Sequence, residues 1–112
     1  MSTQTFNDLK REDTISHACG VTLNDSVDGR VIAEIMEEKE GVTVTYFPAM
    51  IRIDTEGKLV FNMEELGEAI GKDFTTYDFE IAMSTHYGRM VMTDEDTITL
   101  FGDMEEARQY EE

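Results

Sequence analysis

The spacing of hydrophobic and polar residues predicts a strand and a helix in the first third of the chain. Residues 18–23 form a short apolar run that favours a strand. Apolar side chains then recur at helical spacing, at Val27, Val31, Ile32, Ile35 and Met36. Asn24, Asp25 or Ser26 can cap the start of this helix, because their short polar side chains accept backbone hydrogen bonds. Gly41 is placed to end the helix in a left-handed conformation.

The middle of the chain predicts three strands. "VTVTYF", residues 42–47, alternates between apolar and polar positions, which indicates a strand with one buried face. Pro48 has no amide hydrogen and marks an edge, a bulge or a bend. "AMIRID", residues 49–54, continues as a strand whose core-facing residues are Ala49, Ile51 and Ile53. Gly57 in "DTEGK" suits a turn, from which "LVF" returns as the third strand.

The second half predicts a short helix followed by three strands. Asn62 and Glu65 form an N-x-x-E variant of the capping box, and Gly71 is placed to end the helix. "FEIAMS", residues 79–84, alternates and therefore predicts a strand. Its pattern places Phe79, Ile81 and Met83 inward and Glu80, Ala82 and Ser84 outward. Gly88 in "THYG" suits a hairpin with a glycine bulge, and "RMVMT" and "TITLF", joined by "DED", complete a three-strand meander.

These elements predict an α+β fold with largely antiparallel sheets and two main helices, in the order β-α-β-β-β-α-β-β-β. A length of 112 residues, 40% of them hydrophobic, predicts one compact domain. We expect residues 1–17 to form a flexible polar tail and residues 18–102 to form the domain. Residues 103–112 are expected to form an acidic tail or a short helix.

The chain is strongly acidic, with 25 Asp and Glu against 9 Lys and Arg and a formal net charge of −16. Nucleic-acid phosphates and anionic membranes repel such a surface, so neither is an expected partner. A basic protein partner is compatible with the charge, and so is simple solubility. The first residues lack an apolar signal segment, no window is apolar enough to span a membrane, and one cysteine cannot form an internal disulfide. These features indicate a protein of the reducing cytoplasm.

Groups able to perform catalysis are scarce. His17 and His86 are the only histidines, and no helical metal-binding pair can be written. Cys19 follows His17 by two residues, which allows a nucleophile–base hypothesis, but a small buried thiol is the favoured interpretation. The acidic turns "DTEG" and "DED" lack a calcium loop's pattern, and the glycine-rich phosphate-binding motifs do not occur.

Two stretches are candidates for a protein-binding surface. The first, "YFPAMIRID", presents Phe47, Met50 and Arg52 on the side away from the expected core. The second presents Ala82, Ser84 and His86, beside Tyr87 and Arg89. A small, uncharged sheet edge of this kind fits close docking against a partner, and it fits an ordinary solvated strand equally well.

Three stretches together resemble the effector proteins of soluble di-iron multicomponent monooxygenases, which are also called coupling or regulatory proteins. "FPAMIRIDTEGKLVF" resembles the family's proline-containing strand pair, and "VIAEIMEEKEGVTV" resembles its first helix and following strand. "YDFEIAMSTHYGRM" resembles a second signature, represented here by Tyr77, Asp78, Ser84, Thr85, Gly88 and Arg89. The resemblance covers residues 19–102 in the right order. It is strongest to the coupling proteins of propane and related short-alkane monooxygenases.

The resemblance implies a non-catalytic, cofactor-free, cytoplasmic protein, monomeric when free, that binds the hydroxylase component of such an enzyme. It would favour one conformation of the di-iron hydroxylase, tune substrate access and O2 activation, and couple NADH use to hydroxylation of a small hydrocarbon. The residues expected to contact the hydroxylase are Phe47, Met50, Arg52, Ala82, Ser84, Thr85, His86, Tyr87, Gly88 and Arg89. The chain departs from the family at Ala82 and at His86, where methane-oxidising members favour a small polar residue and a hydroxyl.

The residues alone leave two other hypotheses open. A stand-alone acidic protein could block the basic, nucleic-acid-binding surface of a partner, and its binding would weaken steeply as salt rises. A small enzyme that uses His17 and Cys19 would turn over substrate by itself and would lose that activity on Cys19→Ala.

Overall fold

The computed structural model describes residues 17–109, which form seven strands and four helices. The strands are β1 (Ala18–Asn24), β2 (Thr43–Phe47), β3 (Met50–Glu56), β4 (Lys58–Asn62), β5 (Met83–Tyr87), β6 (Arg89–Asp94) and β7 (Thr97–Phe101). The helices are α1 (Val27–Glu37), α2 (Met63–Ile70), α3 (Thr76–Ala82) and α4 (Met104–Arg108). The α+β class is therefore confirmed. The expected N-terminal tail, apart from His17, and residues 110–112 lie outside the described residues.

The strands form two antiparallel sheets, one with the order β2-β3-β1-β5 and one with the order β4-β7-β6. In the four-stranded sheet, Val21 opposes Ile53 and Leu23 opposes Ile51, and all four side chains are buried. Both sheets and helices α1, α2 and α3 contribute to one apolar core. The predicted core positions Ile51 and Ile53 are therefore confirmed.

Two glycines carry the chain from one sheet to the other. Gly57 (φ 92°) connects β3 to β4, and Gly88 (φ 95°) connects β5 to β6. The turn predicted at Gly57 is present with positive φ, but the strand after it does not return beside β3, because β4 pairs with β7. The hairpin predicted at Gly88, and with it the three-strand meander, is wrong because β5 pairs with β1. A Cβ on Gly88 would lie 2.6 Å from the Cβ of Cys19, so a glycine is needed for the close approach of the two sheets there.

Helix α3 replaces the first part of the strand predicted over residues 79–84. Its N-terminus has a complete capping box: the Asp78 amide donates to Thr75 Oγ1 (3.2 Å), and the Thr75 amide donates to Asp78 Oδ2 (2.9 Å). This reciprocal pair satisfies two backbone donors at the point where the helix begins. The local capping signal therefore prevails over the alternating pattern.

Helical spacing reverses the orientations that were predicted for this segment. Phe79 is buried against Phe61 of β4, with ring centroids 4.7 Å apart. Ala82, which was expected to point outward, is only 8% exposed, and Ile81, which was expected to point inward, lies on the surface. The difference follows from the helical period of 3.6 residues, which places positions 79 and 82 on one side.

Two smaller expectations also need correction. Ser26 caps α1 by accepting from the Gly29 amide (3.0 Å), but the helix ends at Glu37, and Gly41 (φ 81°) lies in the turn beyond it. Pro48 does form a bend, the turn of the β2–β3 hairpin. Ala49 (φ 69°) is exposed instead of belonging to the core, because it is one of the two turn residues between the paired Phe47 and Met50.

Candidate functional site

The outer surface of the four-stranded sheet gathers five of the residues expected to contact a partner. Directly opposed residues of antiparallel strands share a face, so the register identifies its members. We call this surface the open face; it comprises Gly20, Thr22, Asn24, Thr43, Thr45, Phe47, Met50, Arg52, Asp54, Thr85 and Tyr87. The five expected residues are Phe47, Met50, Arg52, Thr85 and Tyr87. Every member of the open face except Gly20 is exposed or half-buried.

One end of the open face is apolar. Phe47 and Met50 oppose each other across the β2–β3 turn, and Asn24 of β1 opposes Met50 on the other side. The Asn24 side-chain amide donates to the backbone oxygen of Ile81 (3.3 Å), which joins this end of the sheet to α3. Exposed Val27 and Ile81 line a shallow depression of about 430 Å³ there together with Asn24. Asp28, Lys72 and Asp78 also line this depression, so Val27 and Ile81 extend the apolar end past the sheet within a partly charged surface.

The sequence interpretation missed Val27 and Ile81 as surface residues. The strand assigned to residues 79–84 placed Ile81 in the core, and Val27 was counted among the apolar positions of α1. The T-x-x-D pattern at residues 75–78 was the signal that could have revealed helix α3.

The other end of the open face is a polar cluster around Asp54. Its Oδ1 atom accepts from the Tyr87 hydroxyl (2.5 Å) and pairs with Nη2 of Arg52 (2.9 Å). The Arg52 guanidinium lies 6.0 Å from the centroid of the Tyr87 ring. Burial and the hydrogen bond and charge of Asp54 raise the pKa of Tyr87 to about 12, so its hydroxyl stays protonated near neutral pH. Thr45, Thr22 and Thr85 lie level with Arg52 across the sheet, and Thr43 opposes Asp54, so threonines flank this cluster.

The acidity of the chain is not concentrated on the open face. Arg52 and Asp54 are the only charged residues among its members, and they pair with each other. Acidic residues lie on the opposite side of β2, where burial and the nearby Glu37 and Glu34 of α1 raise the pKa of Tyr46. The open face is therefore close to electrically neutral despite the net charge of −16.

Strand β5 presents different residues from those expected. The outward set was expected to be Ala82, Ser84 and His86. Ala82 is buried in α3, and His86 opposes the inward-facing Val21, so Thr85 and Tyr87 point to the open face instead. Helix α3 continues to residue 82, and the pairing register of β5 shifts next to Ser84. As a result, the odd-numbered residues Thr85 and Tyr87 face outward instead of the even-numbered ones that were predicted.

The remaining expected residues lie at the margin of the open face. Ser84 falls where the β1–β5 register shifts, between the pairs formed by Thr85 and Met83. Gly88 forms the connection between the sheets, and Arg89 opens β6 opposite Phe101 in the three-stranded sheet. These three residues therefore do not share the flat surface formed by the other strands.

The only cysteine has the properties of a core residue. Cys19 is fully buried, and its Sγ donates to the backbone oxygen of Leu100 (3.4 Å). Burial and the charge of Asp54 raise its pKa to about 11, so the reactive thiolate is scarce at neutral pH. The geometry does not support a nucleophile made from His17 and Cys19.

Two further observations limit the chemistry of the described residues. Across residues 17–109, His, Cys, Asp and Glu side chains form no group of three or more that could hold a metal ion. None of the helices in that range has the length and apolar character needed to cross a membrane.

Comparison with known proteins identifies relatives along most of the chain. The model of the MmoB/DmpM family matches residues 17–101. The propane 2-monooxygenase effector component of Rhodococcus jostii (strain RHA1) is 50% identical over 95 residues, covering 85% of this chain and 83% of that protein. The corresponding effector component of Mycolicibacterium smegmatis is also 50% identical over 95 residues, covering 85% of this chain and 82% of that protein.

Solved structures show the same fold. A chain in a phenol hydroxylase–regulatory protein complex superimposes with a TM-score of 0.66 at 30% identity, covering 75% of this chain and 97% of that chain. The soluble methane monooxygenase regulatory protein B superimposes with a TM-score of 0.64 at 24% identity, covering 86% of this chain and 73% of that chain, which supports the fold alone. The family match extends over most of the sequence, and the chain therefore belongs to the MmoB/DmpM family.

Proposed function

We propose that this chain is the effector component of a short-alkane, propane-type di-iron monooxygenase and that it acts by binding the hydroxylase component. The observation that carries the proposal is the 50% identity to two propane 2-monooxygenase effector components over more than four fifths of their length. The alternative of an acidic blocking protein has no comparable support. It also fits poorly with an open face whose two charges pair with each other.

The open face is the proposed hydroxylase-docking surface. Four strands spaced by ~4.8 Å, with about six residues each at ~3.4 Å, make a patch of roughly 400 Å². A standard protein interface buries about 800 Å² on each partner, so the sheet alone supplies roughly half of that area. The adjoining apolar end with Val27 and Ile81 can supply more of it. Phe47, Met50, Arg52, Thr85 and Tyr87 are the proposed central contacts, with Ser84, Gly88 and Arg89 at the rim. His86 lies on the opposite side of β5 and is not among them.

The proposed mechanism is a shift in the hydroxylase population, without chemistry in the effector itself. An effector that binds one hydroxylase conformation more tightly raises the population of that conformation by the ratio of its two affinities. Substrate access and O2 activation at the di-iron centre of the hydroxylase would change accordingly, and NADH use would be coupled to hydroxylation. In this role the chain needs no cofactor, and it works in the cytoplasm beside the hydroxylase and reductase.

A binding titration at two salt concentrations tests this proposal. Calorimetry with the purified hydroxylase of a propane monooxygenase should show a stoichiometric complex. Its affinity should change less than tenfold between low salt and about 0.5 M salt, where charge screening is nearly complete. The Rhodococcus jostii effector provides the positive control. If that effector binds and this chain does not, the proposal is wrong, and a steep loss of affinity with salt would favour the acidic blocking protein.

A further inference from the structure

Tyr87 reaches across a whole strand to contact Asp54. Tyr87 lies on β5 and Asp54 on β3, with β1 between them. The residue of β1 that opposes both is Gly20. A Cβ on Gly20 would lie 2.6 Å from Asp54 Oδ1 and 2.9 Å from Cε1 of Tyr87, so the ring occupies the space that any other side chain would fill. The missing side chain makes a slot in the open face, and the phenol ring lies in it.

The ring is held at two places and is still accessible. Its hydroxyl donates to Asp54 Oδ1, and the Arg52 guanidinium, which pairs with the same oxygen, lies near its face. The side chain nevertheless remains 41% exposed. An exposed aromatic side chain usually loses rotamer freedom when a partner binds it, and that loss weakens binding. Tyr87 has already lost much of its rotamer freedom in the free protein, because its hydroxyl and its ring face are both held.

We propose that Gly20, Asp54 and Arg52 are positioning residues that hold Tyr87 in its docking orientation, as a preformed aromatic anchor for the hydroxylase. The inference rests on the proposed function, because it names the partner of the open face. Rigid aromatic residues near the centre of an interface commonly dominate its binding energy, and preorganisation lowers the cost of using them. The opposing possibility is that the cluster only stabilises the sheet, in which case its loss would change stability and leave affinity unchanged.

Substitutions at Tyr87 and Asp54 separate the two roles. Tyr87→Phe keeps the ring and removes the hydroxyl. Asp54→Ala removes the acceptor, whereas Asp54→Asn retains an oxygen that can accept from Tyr87. Tyr46→Phe is the matched control, since Tyr46 is 47% exposed, has the Glu37 carboxylate as its hydrogen-bonding neighbour and lies on the opposite side of the sheet. Gly20→Ala is avoided because its Cβ would also lie 2.6 Å from the backbone oxygen of Ile53 and would strain the strand itself.

The first measurement concerns the free protein. In NMR spectra of protein with isotope-labelled tyrosine rings, Tyr87 should show restricted ring motion in wild type and in Asp54→Asn. The motion should become faster in Asp54→Ala. Equal ring motion in wild type and Asp54→Ala would overturn the proposal without any experiment on the hydroxylase.

The second measurement is calorimetric affinity for the propane monooxygenase hydroxylase. Tyr87→Phe and Asp54→Ala should bind about three- to tenfold more weakly, the effect expected from releasing one ordered side chain. Asp54→Asn should recover most of the affinity, Tyr46→Phe should bind like wild type, and thermal unfolding temperatures should stay close together. Affinities of Tyr87→Phe and Asp54→Ala within twofold of wild type would overturn the anchor and leave the proposed function standing. Failure of wild type to bind would overturn both.

Discussion

Replacing Met50 with glutamate should abolish most hydroxylase binding without unfolding the domain. Met50 lies at the apolar end of the open face, between Phe47 and Asn24, and is 42% exposed in the free protein. Full burial of a methionine side chain contributes up to about 3 kcal/mol, so the part still exposed can contribute about 1 kcal/mol on docking. A carboxylate left unpaired in the same interface adds a desolvation penalty of at least ~1–3 kcal/mol. Together these terms predict an affinity loss of about thirtyfold or more.

The stability of the free protein provides the internal check. An exposed strand substitution costs at most about 1 kcal/mol, which lowers the unfolding temperature of a domain of this size by about 4–8 °C. Met92→Glu is the matched control, because Met92 is 58% exposed on β6 of the three-stranded sheet and should bind like wild type. Calorimetric binding and thermal unfolding of the two variants distinguish a loss of hydroxylase affinity from a loss of stability. A much larger fall in unfolding temperature for Met50→Glu would show that Met50 belongs to the core, and wild-type affinity would show that it does not contact the hydroxylase.

Three further predictions concern the fold around this surface. Gly88→Ala should lower the free energy of unfolding by about 2–5 kcal/mol, because it combines left-handed backbone strain with overpacking against Cys19. Gly57→Ala should lower it by only about 1–2 kcal/mol, because nothing lies near its new Cβ and only the backbone strain remains. Equal losses for the two variants in denaturant titrations would contradict this prediction. With a pKa of about 11, Cys19 is thiolate in only about one molecule per thousand at pH 8, so iodoacetamide should label it only on unfolding, and rapid labelling of native protein would contradict its burial. Hydrogen bonds from Thr75 lower the pKa of Asp78, so its stabilisation of α3 is present above its unfolded pKa of about 3.9 and is lost as pH falls through the lower folded value. The protection factors of α3 amides, taken relative to the intrinsic exchange rate at each pH, should therefore fall in acid, and Asp78→Ala should remove that fall. An unchanged protection profile in the variant would be the contrary result.

Local signals were sufficient for most elements of this fold. The cap at Ser26, the cap at Asn62 and the left-handed Gly71 each act through hydrogen bonds within a few residues, and all three are present. The burial of Ile51 and Ile53 follows from strand alternation for the same local reason. The α+β class and the antiparallel pairing could therefore be predicted from the sequence.

Strand partners could not be predicted in the same way. Gly57 and Gly88 have the positive φ of hairpin glycines, but each one transfers the chain to the other sheet. The pairing of β4 with β7 and of β5 with β1 joins segments far apart in sequence, and no local pattern specifies it. Helix α3 was missed because a short apolar run fits both the two-residue period of a strand and the 3.6-residue period of a helix. In the helix, Phe79 is buried against Phe61.

The candidate site was predictable in its chemistry but not in its geometry. The sequence placed Phe47, Met50 and Arg52 on one side of a strand, and the register adds Thr85 and Tyr87 to that surface. The roles of Gly20 and Asp54 depend on β1 lying between β3 and β5, which only the three-dimensional order reveals.

Effector function is tested most directly by substrate oxidation with a short-alkane di-iron hydroxylase and its reductase, titrated with this protein. Propane oxidation and NADH consumption are measured together, so that product formed per NADH reports coupling. If this chain is the effector, the ratio rises with added protein to a maximum near one equivalent per hydroxylase active site, and Met50→Glu shifts the rise to much higher concentration. A ratio and a rate that stay unchanged throughout the titration, with the Rhodococcus jostii effector active in parallel, would contradict that function.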